Sequence, residues 1–148
     1  MSSIATREAL AGVSAGYEEM ARQHRAVRVE MVELRGMIDS CRATQRTDGY
    51  RSMLAVLVGR LRERLALHFE REQDDHLARL LRTRPEAAPD VQRFCHEHTE
   101  LLAQAHRLAE QLRAPAAAPD TVARTMEWLE ALRQHESAEE QFVGSPRA

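Results

Sequence analysis

Apolar residues recur at alternating intervals of three and four along four long stretches of this 148-residue chain. This spacing places them on one face of an α-helix, as in helices that share the core of a bundle. Clusters of helix-breaking residues separate the stretches at Thr44–Gly49, Thr83–Asp90 and Ala114–Asp120. We therefore predict an all-α protein that folds as an up-down-up-down four-helix bundle. The helices are expected over Ala15–Cys41, Tyr50–Leu81, Val91–Arg113 and Thr121–Val143.

The composition supports the same fold class. The chain is rich in Ala, Leu, Arg, Glu and Gln, which favour helices, and it contains only six glycines and five prolines. Its length is that of one domain, so we expect a single domain over residues 1–148, with the bundle at about 15–143. The opening residues from Ser3 to Leu10 are expected to form a short separate helix before Gly12.

Charge and targeting signals limit the partners and the compartment. The net charge of -2 is too balanced to indicate binding to nucleic acid or to an anionic membrane. Residues Met1 to Val13 lack the pattern of a secretory signal, and no apolar stretch has the length of a membrane span. The cysteines Cys41 and Cys95 are far apart and form no metal-binding or redox pair. We expect a soluble cytoplasmic protein with reduced thiols.

Polar residues interrupt the apolar face of every predicted helix. Each face carries one histidine, and two of these histidines have a glutamate four residues later, on the same face. One buried histidine is usually a hydrogen-bonded structural residue, and two buried His–Glu ion pairs are an alternative for the whole set, although desolvation makes such pairs weak stabilisers. Six buried titratable groups are costly without a charge among them, so a pair of metal ions is the simplest explanation. The residues are His24, His68, Glu72, His98, His135 and Glu139.

The remaining titratable residues serve as comparisons. His96 and His106 are expected at the surface, and Glu70, Glu136 and Glu140 are expected to point into solvent. Glu140 is nevertheless the main rival to Glu139, because a small shift of the helix face would exchange them. His76 lies close to the face of Glu72; we expect it to take no part in the site, and a role in supporting a ligand or as an extra ligand is the alternative. Cys95 is expected to be an ordinary buried thiol, and Tyr17 to pack in the core, with a hydrogen bond near the site as the alternative.

The donor types favour iron. Four imidazoles and two carboxylates are too many for one tetrahedral zinc, and calcium or magnesium would prefer oxygen ligands. Mixed nitrogen and oxygen donors suit iron or manganese, and a histidine-rich set favours iron. The Glu-x-x-His motif of ferritin-like diiron proteins is missing. The expected cofactors are two iron ions, bridged by the glutamates and a solvent-derived oxygen.

Four fragments in this order and spacing resemble one known family, the hemerythrin-like (HHE cation-binding) proteins, from about Glu18 to Phe142. This resemblance implies a four-helix bundle with a non-haem diiron centre. It also implies that the six residues above are the ligands, with both glutamates bridging. The fragments are Gln23-His24-Arg25, Leu67-His68-Phe69-Glu70-Arg71-Glu72, Glu97-His98-Thr99-Glu100-Leu101-Leu102 and His135-Glu136-Ser137-Ala138-Glu139-Glu140.

One departure from the family pattern bears on function. Oxygen-carrying hemerythrins have a second histidine one turn after the third-helix histidine, and this chain has Leu102 there. The loss favours easier ligand exchange or oxidation over reversible oxygen carriage. The leading prediction is a diiron protein that binds dioxygen, or another small diatomic ligand such as nitric oxide, for sensing, storage or delivery. The alternatives are a diiron enzyme that reduces peroxide, oxygen or nitric oxide, and an iron-handling or structural bundle with a partly occupied site.

Overall fold

The computed structural model describes residues 2–44, 47–114 and 120–144, and nearly all of these residues are helical. The second long helix has three consecutive parts, since a π-helical segment joins α2 to α3. The elements in chain order are α1 (Ser2–Thr44), α2 (Thr47–Arg71), the π-helical segment (Glu72–Leu77), α3 (Ala78–Thr83), a 3₁₀ turn (Pro85–Ala87), α4 (Ala88–Arg113) and α5 (Thr121–Gly144).

The long helices form a closed ring of four. Helix α1 packs against α2 and α5, and helix α4 packs against the same two helices from the opposite side. Helices that follow one another in the chain are therefore neighbours, as short connections require. The described residues contain no β-strand. The predicted all-α four-helix bundle is confirmed.

Several predicted helix boundaries are wrong. The first helix ends at Thr44 instead of Cys41, and the second begins at Thr47 instead of Tyr50. Helix α1 runs without interruption from Ser2 through Gly12, so the separate short helix at Ser3–Leu10 does not exist. A glycine costs a helix only about 1 kcal/mol relative to alanine, and the Ala-, Glu- and Arg-rich residues around it offset that cost. Helix α4 begins at Ala88 instead of Val91, with Pro89 in its first turn, where the missing N–H has no helical partner to lose. Most of the third breaker cluster, residues 115–119, lies outside the described residues.

The π-helical segment was not predicted from the sequence. It begins at Glu72 and ends at Leu77, and it contains no proline or glycine from which an irregular helix could have been predicted. A π-helix bonds each residue to the one five positions away, which widens the turn and changes the direction of the following side chains. Here the change begins at one of the six predicted site residues.

The core is divided into two apolar clusters by a polar layer. Helix α1 enters the layer after Met20, in the smaller cluster, and leaves it at Val27, in the larger one. Helix α5 crosses it in the opposite direction, between Leu132 and Val143. The residues between these positions include the buried histidines and glutamates. The remaining members of the smaller cluster are Leu77, Leu80, Ala87, Val91 and Phe94.

Two aromatic residues at one end of the bundle, Tyr17 and Phe142, are not fully buried. Tyr17 is 37% exposed, so its predicted core position is wrong. Its ring instead lies against the end of α5, where a Cβ added to Gly144 would come within 2.9 Å of the ring. Phe142 is half-buried and packs against the smaller cluster.

Candidate metal centre

The polar layer brings together all six residues singled out in the sequence. Their exposed fractions are 6% or less, and both glutamates are fully buried. The four long helices each supply one histidine, while the two glutamates lie one turn after the histidines of α2 and α5. The residues are His24, His68, Glu72, His98, His135 and Glu139. Their role as metal ligands stays a prediction, but their convergence is a property of the fold.

Glu72 lies at the centre of the group. Its Oε2 is 2.7 Å from His68 Nε2 and 3.3 Å from His24 Nε2. Its Oε1 is 3.3 Å from His98 Nε2. One carboxylate therefore faces histidines from three helices, which suits a group that bridges two cations.

Glu139 completes the other half. Its Oε1 is 2.8 Å from His135 Nε2 and 3.9 Å from His24 Nε2, and its Oε2 is 3.3 Å from His98 Nε2. The donor atoms form two sets, each with its atoms within 4.8 Å of one another, and Glu72 belongs to both. The sets are His24, His68 and Glu72, and Glu72, His98, His135 and Glu139.

Each histidine uses its second nitrogen for a polar contact outside the centre. His24 Nδ1 is 2.9 Å from Glu140, and His135 Nδ1 is 2.6 Å from Glu97. An Nδ1–H that donates to a carboxylate leaves the Nε2 lone pair directed inward and makes the ring a better metal ligand. The other two rings contact amide side chains, His68 with Gln23 Oε1 at 3.2 Å and His98 with Gln73 Nε2 at 2.8 Å.

Gln73 is brought to His98 by the π-helical segment. In this structure its amide nitrogen lies 2.8 Å from His98 Nδ1. A protonated His98 ring, like a ring that binds a metal through Nε2, carries a hydrogen on Nδ1 and needs the amide oxygen at this contact. A rotation of the Gln73 amide by half a turn provides it.

In the absence of a metal, protons on the buried side chains balance the negative charge of the glutamates in the layer. Burial alone lowers the pKa of His24, but its hydrogen bond to Glu72 and the negative charges of nearby glutamates outweigh burial and raise that pKa to about 9. Burial is outweighed in the same way at His98, where hydrogen bonds to Glu139 and Glu72 raise the pKa to about 9. Burial raises the pKa of Glu139, and the adjacent Glu72 raises it further. The metal-free centre is therefore held together by protonated histidines.

Several buried nitrogen and oxygen atoms in the layer have no hydrogen bond. They show whether the layer suits a cation, because a cation would be their missing partner. Glu72 Oε1, Glu139 Oε1, His68 Nε2 and His135 Nε2 are all buried, and their contacts of 2.7–3.3 Å within the centre do not have the geometry of hydrogen bonds in the part of the chain that the structure describes. Atoms of this kind are rare in proteins because each loses its hydration without compensation. They face the interior of the centre, and a cation there would satisfy them. The donor set thus fits a metal centre.

Two phenylalanines support the histidine rings. Phe69, next to His68, stacks on His98 with ring centroids 4.0 Å apart and ring planes 7° from parallel. It also meets His135 edge-on, and Phe94 makes an edge contact with the same ring. Both phenylalanines are almost fully buried. Phe69 lies outside the apolar face predicted for α2, so the sequence pattern did not identify it as part of the site.

The substitution Phe69→Ala is expected to destabilise the metal-free protein by about 3–5 kcal/mol, because it leaves a cavity in the core. It should also weaken metal binding, since the ring that holds His98 in place is lost. Phe69→Leu is the matched variant, because it preserves much of the volume and removes the stacking. Urea unfolding and metal titration of both variants check this prediction. Unchanged metal affinity in Phe69→Ala would show that the stacking does not position His98.

The titratable residues that were predicted to lie outside the centre fall into two groups, those that are exposed and those that are wholly or partly buried. His96, His106 and Glu70 are exposed, as predicted. The Glu140 side chain is only 20% exposed and contacts His24, so its predicted solvation is wrong, whereas Glu139 and not Glu140 belongs to a donor set.

The prediction for Glu136 differs from the structure more than that for Glu140, because Glu136 is fully buried instead of solvated. Helix α5 lies between α1 and α4 and buries a wider face than the one apolar stripe indicates. Burial raises the pKa of Glu136 to about 7, although His24 and Arg28 attract its negative charge.

The remaining residues lie at the edge of the layer. His76 is half-buried and belongs to neither donor set, and burial lowers its pKa. Cys95 packs half-buried against the smaller cluster, and burial raises the pKa of its thiol. Leu102 packs half-buried against the larger cluster and supplies no donor. The contacts of Gln23, Gln73 and Glu97 with the histidines were not predicted, because nothing in the sequence reveals which polar residue meets a given Nδ1.

The family of the chain follows from sequence comparison. Its sequence matches the model of the hemerythrin HHE cation-binding domain over residues 15–143, which include every residue of the polar layer. Comparisons with curated proteins and with solved structures gave no match. No helix in the described ranges is long and apolar enough to cross a membrane. A match over most of the chain, together with the buried histidine and glutamate layer, means that this chain belongs to the hemerythrin HHE cation-binding family.

Proposed function

We propose that this chain is a non-haem diiron protein that binds dioxygen, or nitric oxide, for sensing, storage or delivery in the cytoplasm. The observation that carries the proposal is the pair of buried donor sets that share Glu72. Each set combines imidazole nitrogens with carboxylate oxygens, a mixture that suits iron. Two ferrous ions bound by these residues would supply the electrons for binding dioxygen.

The side chains of the protein have three tasks in this proposal. The four histidines present neutral Nε2 atoms, and their Nδ1 contacts hold the rings in place. Glu72 and Glu139 reduce the net positive charge inside the bundle. The apolar clusters on both sides of the layer limit the entry of water, which protects a reactive centre.

An enzyme that reduces peroxide, oxygen or nitric oxide is the second candidate. Leu102 favours it, because one set lacks the additional nitrogen that an oxygen carrier would place at this position. A metal with fewer protein donors exchanges external ligands more easily.

Anaerobic purification from iron-replete cells, followed by metal analysis, tests the proposal first. About two irons per chain are expected. The reduced protein is then exposed to air while its absorption spectrum is recorded. A band that appears with oxygen and disappears on deoxygenation supports binding, whereas many turnovers with an added reductant support the enzyme. A well-folded protein that contains no metal under these conditions contradicts both.

A further inference from the structure

Glutamine side chains are the polar partners of two of the four histidines in the centre, His68 and His98. A carboxylate partner, such as Glu140 at His24, accepts a hydrogen bond through either of its oxygens. An amide presents either its oxygen or its NH₂ group, and only the oxygen accepts the Nδ1–H of a ring that binds metal through Nε2. A further group must therefore set the orientation of each glutamine.

Gln23 has such a group in Glu19. The Gln23 Nε2 donates to Glu19 Oε1 over 3.0 Å, and the Gln23 Oε1 lies 3.2 Å from His68 Nδ1. An ionised carboxylate only accepts hydrogen bonds, so Glu19 holds the NH₂ group on its own side and turns the amide oxygen toward His68. This orientation suits an Nδ1–H donor and leaves His68 Nε2 for the interior of the centre, where it lies 2.7 Å from Glu72 Oε2.

Glu19 is held in place by neighbours on its own helix. It lies one turn before Gln23 on α1, and its Oε2 is paired with Arg22. The Glu19 side chain is 41% exposed, so solvent and Arg22 stabilise its negative charge. The Gln23 side chain, which receives the effect, is half-buried and faces His68. Glu19 therefore remains an acceptor without any burial of its charge.

Gln73 shows the other orientation of an amide. Its nitrogen, and not its oxygen, lies 2.8 Å from His98 Nδ1. Within the described ranges, the Gln73 amide has no hydrogen bond to a carboxylate. The two glutamines thus differ in the atom that they present to a histidine, and the presence of Glu19 beside only one of them accounts for the difference.

We propose that Glu19 is a positioning residue of the metal centre, which acts through Gln23 to hold His68 with its Nε2 directed at the metal. The inference rests on the proposed metal centre. His68 belongs to the donor set with three members, whereas Glu19 belongs to neither set. The affinity for the ion in the smaller set therefore depends on a carboxylate at the surface of α1 that does not bind the ion.

The ring nitrogens of the Zn²⁺-loaded full chain test the proposal without any activity measurement. Zn²⁺ accepts imidazole and carboxylate donors and is diamagnetic. Long-range ¹H–¹⁵N spectra of protein labelled at histidine therefore show which nitrogen of His68 binds the metal and which carries the hydrogen. We expect binding through Nε2 and an Nδ1–H that exchanges slowly with solvent. Metal binding through Nδ1 of His68 overturns the proposal, whether or not any variant folds.

Variants of Glu19 measure the effect on affinity, with Zn²⁺ titrated in competition with a chromophoric chelator. In Glu19→Ala the amide is free to turn, so the His68 Nδ1–H should exchange faster. One of the two ions should bind about 2–10-fold more weakly, which corresponds to the net strength of one hydrogen bond. In a Gln23→Ala background the same substitution should change neither quantity further. The control is Glu18→Ala, at an exposed position of α1, which should bind both ions like the wild type.

Three other results contradict the proposal in distinguishable ways. If Glu19→Ala binds both ions as tightly as the wild type and preserves the slow exchange, the positioning role is wrong and the proposed metal centre stands. If Glu19→Ala weakens binding equally with and without Gln23, Glu19 acts by another route and the positioning role is again wrong. If the wild type binds neither Zn²⁺ nor iron, the positioning role and the proposed metal centre are both wrong.

Discussion

The substitution Glu72→Ala is expected to abolish the tight binding of both metal ions. Glu72 is the residue that the two donor sets share, and it lies within 3.3 Å of histidines from three helices. Loss of a residue that only orients a ligand already costs 10–100-fold in affinity, so loss of a shared ligand should cost more than about 100-fold for each ion. Metal analysis of anaerobically purified protein measures the effect.

The same substitution should destabilise the metal-free protein as well. Burial opposes the negative charge of Glu72, but hydrogen bonds from Glu139 and the surrounding histidines hold its pKa well below the usual range. Removing this charge leaves protonated His24 and His98 buried without their partner. Breaking a buried ion pair in this way costs about 3–5 kcal/mol, which urea unfolding at neutral pH can measure.

Glu70→Ala is the matched control for both measurements. Glu70 lies near the end of α2, two residues before Glu72, and is exposed. It should leave both the metal content and the stability close to those of the wild type. If Glu72→Ala retains two ions, the assignment of the shared ligand is wrong.

The metal-free and metal-loaded forms are expected to respond to pH in opposite directions. In the metal-free protein the pKa values of His24 and His98 are both raised to about 9, from an ordinary value of 6.5. A raised pKa means that the folded state binds the proton more tightly than the unfolded state does. The resulting stability is fully present below pH 6.5 and is lost as the pH rises through about 9. The thermal midpoint of the metal-free protein should therefore fall across this range.

Metal binding has the opposite dependence because the metal must displace these protons. At pH 7 the binding of two ions should release about two protons from His24 and His98, together with any from the other ligands. Affinity should increase up to about pH 9, so the rise in thermal midpoint caused by the metal grows with pH. Calorimetric titration in buffers of different ionisation enthalpy counts the released protons.

Two histidine variants separate the centre from general effects of pH. His98→Gln should remove much of the decline in stability between pH 6.5 and 9, because one of the raised pKa values is lost. His106→Gln changes an exposed histidine and should preserve the decline. A metal-free protein whose stability is constant over this range would contradict the assigned proton positions.

Local spacing along the chain was sufficient to predict the helices and the six residues of the centre. The alternation of three and four residues determines which side chains share a helix face, and this holds wherever the helix packs. His24, His68, His98 and His135 therefore could be recognised as buried before any contact was known. The same regularity selected Glu72 and Glu139, which follow histidines by one turn.

The spacing of residues along the chain could not predict contacts between helices. Glu136 appeared solvent-facing from its angle on α5, but its burial depends on how closely α1 and α4 approach that helix. Gln73 meets His98 only because the π-helical segment redirects the chain after Glu72. Glu97 meets His135 because α4 and α5 place them at the same height.

The sequence by itself thus determined the bundle, the polar layer and its six inward-facing donors, because helical periodicity is a local property of the chain. Only the tertiary structure decided which carboxylate lies between three histidines, which polar groups hold their second nitrogens, and that Glu136 is buried. These features depend on the distances and rotations between helices. Those quantities arise from the packing of all four helices together, and no single segment contains them.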